Sequence, residues 1–277
     1  MAMTTVAKTT VFITGASRGI GREIALACAR QGNNVVIAAK SDTPHPKLAG
    51  TIHSVAQEVE DAGGQALAIK LDVREEAAVT AAMAHAAAHF GGIDVLVNNA
   101  SAIQLSSVQD TEIKRFDLIH SINTRGTLVC SKAAIPYLKQ SANGHIVTLS
   151  PPINLAPHWL GPYAPYTLTK YGMTLLTLGL AQELKADGVS CTTLWPQTTI
   201  ATAAIEYALD PKLLKRSRTP AIMADAALAI LTTDDQSLSG QSLVDEALLR
   251  ERGVTDFEHY KVDPECEQLY RDLYLDR

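Results

Sequence analysis

Short runs of aliphatic and β-branched residues alternate along this chain with longer stretches in which apolar positions recur every three or four residues. The short runs, at 10–14, 34–39, 66–71, 95–98, 145–149, 190–195 and 242–244, predict strands. Several are apolar without interruption, as in Val35-Val-Ile-Ala-Ala39, which fits strands covered on both faces and hence a parallel sheet. The longer stretches predict helices over 19–31, 51–62, 75–90, 112–138, 165–185 and 221–231. Within the third, Val79, Met83, Ala86 and Phe90 step by four, three and four, a stripe that faces one way. Regular alternation of this kind predicts one doubly wound α/β domain of Rossmann type over 1–277, a seven-stranded parallel sheet flanked by helices. Three segments leave the rhythm. Residues 40–47 form a loop with two prolines, 197–220 a long connection suited to a substrate lid, and 253–277 a polar tail with interspersed tyrosines.

Composition narrows the function. Hydrophobic residues make up 47% and charged residues 19% of 277, enough apolar material for a large core. A net charge of −5 with 5% aromatics lacks the basic face and stacking platforms of a nucleic-acid binder. No stretch approaches the roughly 20 apolar residues of a membrane span, and the amino terminus lacks a basic-then-apolar signal pattern. Cys28, Cys130, Cys191 and Cys266 are scattered and form no C-x-x-C pair, so free thiols in a reducing cytoplasm are expected and no metal site.

The first strand runs into Thr14-Gly-Ala-Ser-Arg-Gly-Ile-Gly21. A glycine-rich turn between strand and helix lets backbone approach a pyrophosphate at the positive helix end, which makes Gly15, Ser17, Arg18, Gly19, Ile20 and Gly21 candidate cofactor contacts. The glycines stand at 15, 19 and 21, not in G-x-G-x-x-G spacing. At the end of the second strand an NAD site places a carboxylate against the ribose hydroxyls. Here the chain reads Ala38-Ala-Lys40-Ser41, with no acid before Asp42. Lys40 and Arg18 could instead neutralise a 2′-phosphate, which favours NADP(H) over NAD(H); alternatively Lys40 only extends into solvent. Asp72 and Val73 end the third strand, where an adenine would lie, although Asp72 could equally cap the helix that follows. Asn99, Ala100 and Ser101 sit at the tip of the fourth strand and face the same crevice.

Tyr166 and Lys170 are four apart, hence on one helix face. An ammonium about 4 Å from a phenol contributes roughly 4 kcal/mol at an effective dielectric of 20, about three pKa units before desolvation reduces it. A phenol so placed can give a proton to a nascent alkoxide or take one from an alcohol.

The order T-G-x-x-x-G-x-G, N-N-A, an Asn in a helix, then Y-x-x-x-K resembles the short-chain dehydrogenase/reductase family over roughly 8–247. Ile37-Ala-Ala-Lys40, Pro44-His-Pro-Lys47, Asn98-Asn-Ala-Ser101, Asn123-Thr-Arg-Gly126 and Ser150-Pro-Pro152 narrow the likeness to the hydroxysteroid dehydrogenase-like protein 2 subgroup. Some members of that subgroup carry an appended sterol-carrier domain, for which this chain is expected to be too short. The resemblance implies Tyr166 as acid/base and Lys170 holding the nicotinamide ribose while depressing the phenol's pKa. It implies Asn123 anchoring a water that relays protons from Lys170, and a hydroxyl after the fifth strand orienting the substrate. Ser150 is the natural candidate, but it stands sixteen positions before Tyr166 and alignment by strand falls on Pro151. Either Ser150 is re-aimed by Pro151 and Pro152, or His158 or Tyr163 substitutes. Backbone after the sixth strand, around Pro196 and Thr198, is implied to meet the nicotinamide amide. Gln197 stands there in place of the usual glycine and restricts the available dihedrals, while Thr202 could complete the trailing threonine.

The expectation is therefore an NADP(H)-dependent oxidoreductase that interconverts a carbonyl and an alcohol. The alternative is a cofactor-binding sensor or scaffold that no longer turns over. A homodimer or homotetramer through 112–138 and 165–185 follows from the resemblance. Ile200, Ile205, Tyr207, Leu209, Leu213 and Leu214 either cover a lipid-like ligand or pack as ordinary core, and the tail at 253–277 either caps the pocket or docks on a partner subunit.

Overall fold

The computed structural model describes residues 8–208, 210–233 and 236–276. Seven parallel strands form one sheet: β1 (Thr10–Thr14), β2 (Asn34–Ala39), β3 (Gln65–Lys70), β4 (Val95–Asn98), β5 (His145–Thr148), β6 (Ser190–Trp195) and β7 (Ser242–Val244), in the order β3-β2-β1-β4-β5-β6-β7. Every residue of β1, β2, β4, β5 and β6 is buried, as the unbroken apolar runs require, whereas edge strand β3 is exposed at Gln65 and Lys70. Leaving β1 the chain winds outward to β2 and β3, then returns to β4 on the other side of β1. That reversal opens a crevice beyond the carboxyl ends of β1 and β4.

Helices α1 (Gly19–Arg30), α2 (Ile52–Asp61), α3 (Glu76–Phe90), α4 (Ile113–Ile122), α5 (Thr124–Leu138), α6 (Pro157–Glu183), α7 (Ala203–Ala208), α8 (Ala221–Leu231) and α9 (Asp245–Glu251) complete the fold. Two apolar layers sandwich the sheet, one built around α1, α2 and α8, the other around α3, α5 and α6. On α3, Val79, Met83 and Ala86 are buried and Phe90 packs beside them.

Two helix expectations need correction. The single helix over 112–138 is distorted at Asn123, where ψ reaches −73°. Its ladder continues through the break, because Asn123 N–H still bonds Ile119 O and Thr127 N–H bonds Asn123 O. The helix expected from Pro165 begins at Pro157 and bends at Tyr163 (φ −137°, ψ 29°), between Pro162 and Pro165. Proline removes an amide donor and crowds the preceding turn, so paired prolines kink rather than extend a helix.

Candidate active site

The glycine-rich turn is pinned from below by the tip of β4. Thr14 Oγ1 accepts the N–H groups of Asn99 and Ala100, each at 3.0 Å, while Asn99 Nδ2 donates to Thr14 O (2.8 Å) and Gly15 O (3.1 Å). Asn99 thus braces the turn with its side chain. A methyl on Gly21 would stand 2.5 Å from that amide nitrogen, so no larger residue fits. Gly15 and Gly19 have φ of 68° and 57°, the left-handed region that glycine enters without strain.

Arg18 precedes α1 in extended conformation, and no side chain caps the helix there. The first-turn amides are left to meet an anion, so this turn fits a pyrophosphate. The Arg18 guanidinium is held by Ser41 Oγ (2.9 Å), Gly50 O (3.0 Å) and Ala49 O (3.1 Å), all neutral acceptors, which leaves its charge uncompensated beside Ser41. Lys40, by contrast, pairs with Asp72 at 3.2 Å and so is not a free cation. Asp72 also takes a bidentate contact from Arg74, whose guanidinium holds the carboxyl well below its usual range. Its side chain caps no helix; α3 starts after Glu75 without a side-chain cap.

A cavity of about 540 Å³ extends from this turn across the carboxyl ends of the strands. Gly15, Ser17, Arg18, Gly19 and Ile20 line its middle, and Lys40, Asp72 and Val73 one end. Asn99, Ala100, Ser101, Pro196, Tyr166 and Lys170 line the other. Gly21 and Thr198, expected among them, are absent from the wall, although Thr199 and Thr202 are on it. Gln197 gives its N–H to Asp245 Oδ1 (2.7 Å) and its carbonyl to Asp272 N–H (3.2 Å), so neither group is free for a nicotinamide amide.

Tyr166 and Lys170 are 4% and 2% exposed, on the cavity wall one helical turn apart. Lys170 Nζ donates to Leu149 O at 2.5 Å and lies 5.1 Å from the Trp195 ring. The expected depression of the phenol is not met by the protein's own charges. Burial first, then the neighbouring Tyr274 and Asp272, push the Tyr166 hydroxyl well above its ordinary value. Burial also takes Lys170 down to about 7, partly opposed by the Asp272 charge. A phenol in this setting keeps its proton and can donate it.

The geometry bears on two further expectations. Ser150 is wholly buried, outside the cavity wall, and takes a hydrogen bond from Thr174 Oγ1 (2.9 Å). The rigid Pro151-Pro152 run carries the chain away from the crevice there. Of the substitutes, His158 pairs with Asp276 at the surface, whereas Tyr163 lines the cavity. Asn123 has no side-chain atom left for a relay water: Oδ1 accepts from Ala102 N (2.8 Å) and Ser101 Oγ (3.1 Å), and Nδ2 donates to Ala102 O (2.9 Å) and Thr169 Oγ1 (3.0 Å). It ties the α4–α5 junction to the loop after β4 and to α6.

Of the apolar residues in the lid connection, Ile200, Ile205 and Leu213 reach the cavity. Tyr207 is exposed and bonds Lys47 O, and Leu209 lies outside the described residues. Of the tail at 253–277, Tyr270–Leu273 lines the cavity, residues not singled out within that tail by the sequence. Trp195 Nε1 donates to Leu273 O (3.0 Å), Thr167 Oγ1 bonds Tyr274 Oη (3.0 Å), and Asp276 accepts from Asn154, His158 and Trp159. Tyr274 is 1% exposed with φ 69°, a costly conformation for an aromatic residue, maintained by packing on Tyr171, Trp159 and Trp195. The only hint in the sequence is alternation of large apolar and charged residues over 269–276.

Comparison with known proteins gives the same picture. The human hydroxysteroid dehydrogenase-like protein 2 is 48% identical over 267 residues, which are 96% of this chain and 63% of that protein; the chain thus spans under two thirds of its length. A solved short chain dehydrogenase from Mycobacterium thermoresistibile superposes with a TM-score of 0.91 at 49% identity, covering 98% of this chain and 96% of that one. A 7α-hydroxysteroid dehydrogenase solved with NADH and 7-oxo glycochenodeoxycholic acid gives 0.74 at 25% identity, over 85% and 92% of the two chains. The model of the short chain dehydrogenases matches residues 9–210, spanning both the glycine turn and the Tyr166–Lys170 helix. With that match added to the sheet order and the cavity, the chain belongs to the short-chain dehydrogenase family of oxidoreductases.

Proposed function

We propose that the protein is an NADP(H)-dependent oxidoreductase that interconverts a carbonyl and an alcohol, with Tyr166 as the proton donor and acceptor. One observation carries this reading. Tyr166 and Lys170, both buried, stand on the wall of the cavity that begins at the glycine turn. The dinucleotide supplies or accepts the hydride. Gly15, Ser17, Gly19, Ile20 and Gly21 with the α1 amino terminus hold its phosphates, and Arg18 with Ser41 meets the 2′-phosphate. Val73 would meet the adenine, Asn99 to Ser101 would form the floor beneath the dinucleotide, and Pro196 and Lys170 would hold the nicotinamide ribose. In reduction, Tyr166 gives its proton to the substrate oxygen as the alkoxide develops; in oxidation it takes the proton back. Tyr163 orients the substrate carbonyl in place of Ser150.

Replacing Tyr166 by Phe tests the reading. NADPH affinity should persist while turnover of aldehydes and ketones is lost; an undiminished rate would refute the assignment. The diverted Ser150 and the engaged Gln197 backbone favour a second reading, a dinucleotide sensor without turnover. Tight NADPH binding with no oxidation across a broad carbonyl panel would select it.

The reading extends to assembly, substrate and location. Ile113, Leu128, Leu168 and Leu175 are exposed aliphatic residues on α4, α5 and α6, and fit a homodimer or homotetramer built on those helices. Ile103, Leu105, Ile205 and Leu213 give the cavity an apolar wall suited to a lipid-like substrate. The free thiols of Cys28, Cys130 and Cys191, all buried, and of the half-buried Cys266 suit the cytoplasm. Among the described residues no helix is long and apolar enough to cross a membrane.

A further inference from the structure

Two carboxylates line the cavity among the described residues, and they differ in their partners. Asp72 is neutralised by Arg74 and Lys40. Asp272 has no Lys, Arg or His within ion-pairing distance; one oxygen, Oδ1, accepts Leu273 N–H at 2.7 Å, and the other has no protein partner. Its backbone is fixed from both sides. Asp272 N–H bonds Gln197 O (3.2 Å), Arg271 bridges Thr198 in antiparallel fashion, and Leu273 O accepts from Trp195 Nε1 (3.0 Å). The carboxylate is therefore held on the wall rather than free to swing into solvent. Its charge reaches Tyr166, Tyr274 and Lys170, while Asp245 lies behind it.

Asp272 is half-buried, and an unpartnered oxygen on a segment fixed by four contacts is placed to meet whatever group enters the cavity. The cavity wall includes the apolar Leu273, Ile103 and Leu105, and the Lys170 ammonium, whose charge Asp272 feels, is not within ion-pairing distance of it. We infer that Asp272 is a specificity-determining residue, whose free oxygen accepts a hydrogen bond from a hydroxyl or ammonium group carried by the substrate apart from its reacting carbonyl. This rests on the carbonyl/alcohol reading above and names the substrate class for the same site. Burial raises this carboxyl to about 7, so a donor, above all a cationic one, stabilises its ionised form, whereas a substrate carboxylate is repelled.

The test uses cyclohexanones bearing a hydroxyl, an ammonium, a methyl or a carboxylate group on the ring carbon opposite the ketone. Their dissociation constants are measured by ligand-observed NMR on the full chain saturated with ADP-ribose 2′-phosphate, which carries no nicotinamide, so that neither reduction nor oxidation occurs. In the wild type, the hydroxyl or ammonium member should bind about tenfold more tightly than the methyl member, a difference of ~1.4 kcal/mol, with the carboxylate weakest. The tighter of the two identifies the donor. Asp272→Asn, which turns the acceptor into a donor, and Asp272→Ser, each with a cooperative thermal transition, should level the series. Equal affinities in the wild type, a ranking that survives both substitutions, or no binding by the hydroxyl and ammonium members would overturn the inference. Equilibrium binding is independent of proton transfer by Tyr166, so failure here is distinct from failure of the Tyr166→Phe test.

Discussion

The indole nitrogen of Trp195, at the end of β6, donates a 3.0 Å hydrogen bond to the carbonyl of Leu273, in the segment that closes the cavity. The same ring lies 5.1 Å from the Lys170 ammonium. One side chain thus couples the sheet, the proton-transfer helix and the closing segment. Trp195→Phe keeps the ring but loses the donor, and should cost about 1 kcal/mol of unfolding free energy. Urea denaturation measures that loss. Substrate KM should rise while NADPH affinity holds, since the proposed phosphate contacts lie at the glycine turn.

The proposed preference for NADP(H) rests on Arg18, because Lys40 shares Asp72 with Arg74 whereas the Arg18 guanidinium has only neutral partners. Arg18→Ala should lower the preference for NADPH over NADH by about tenfold or more, mostly through weaker NADPH binding. Titration of both dinucleotides checks it; an unchanged ratio would show that the 2′-phosphate lies elsewhere.

The proposed site gives the orienting role to Tyr163 in place of Ser150. With Ser150 buried against Thr174 and Tyr163 on the cavity wall, Ser150→Ala should leave kcat within about threefold, while Tyr163→Phe should lower it by tenfold or more. The reverse result would restore Ser150 as the orienting hydroxyl.

Asp272 also makes stability depend on pH. Its carboxyl titrates near 3.8 in an unfolded chain and about 7 in the fold, so between these values the folded state binds more protons. Stability from this group is present below the lower value and is lost as pH rises through the upper one. Asp272→Asn removes that loss. The variant should match the wild type near about pH 4 and exceed it at about pH 7.5, by at most a few kcal/mol. Lys170, which the Asp272 charge raises, is depressed further in the variant, so its titration is followed separately in the Asp272→Asn protein. Thermal melts across this range measure the gap; a constant gap would mean the carboxyl is ionised throughout.

Periodicity was sufficient to place the strands and the glycine turn, because a strand covered on both faces needs an unbroken apolar run and a phosphate turn needs glycine. Strands 10–14, 34–39, 95–98, 190–195 and 242–244 coincide with those observed. Helix ends at prolines were less legible, since Pro157 and Pro165 are both plausible first-turn residues and only the kink at Tyr163 reconciles them. Side-chain direction lay beyond local pattern. That Ser150 points into the core, or that Asn123 bonds the 101–102 loop, depends on contacts between segments far apart in sequence. Asp272 went unnoticed because a lone acid in a polar tail carries no periodic signal.

The chain contains two tryptophans, and both indole nitrogens donate to the closing segment, Trp159 to Asp276 and Trp195 to Leu273. Emission excited near the red edge of indole absorption therefore reports on that segment and on little else. Quenching or a spectral shift on adding ligand would follow movement over the cavity in real time, without any attached dye.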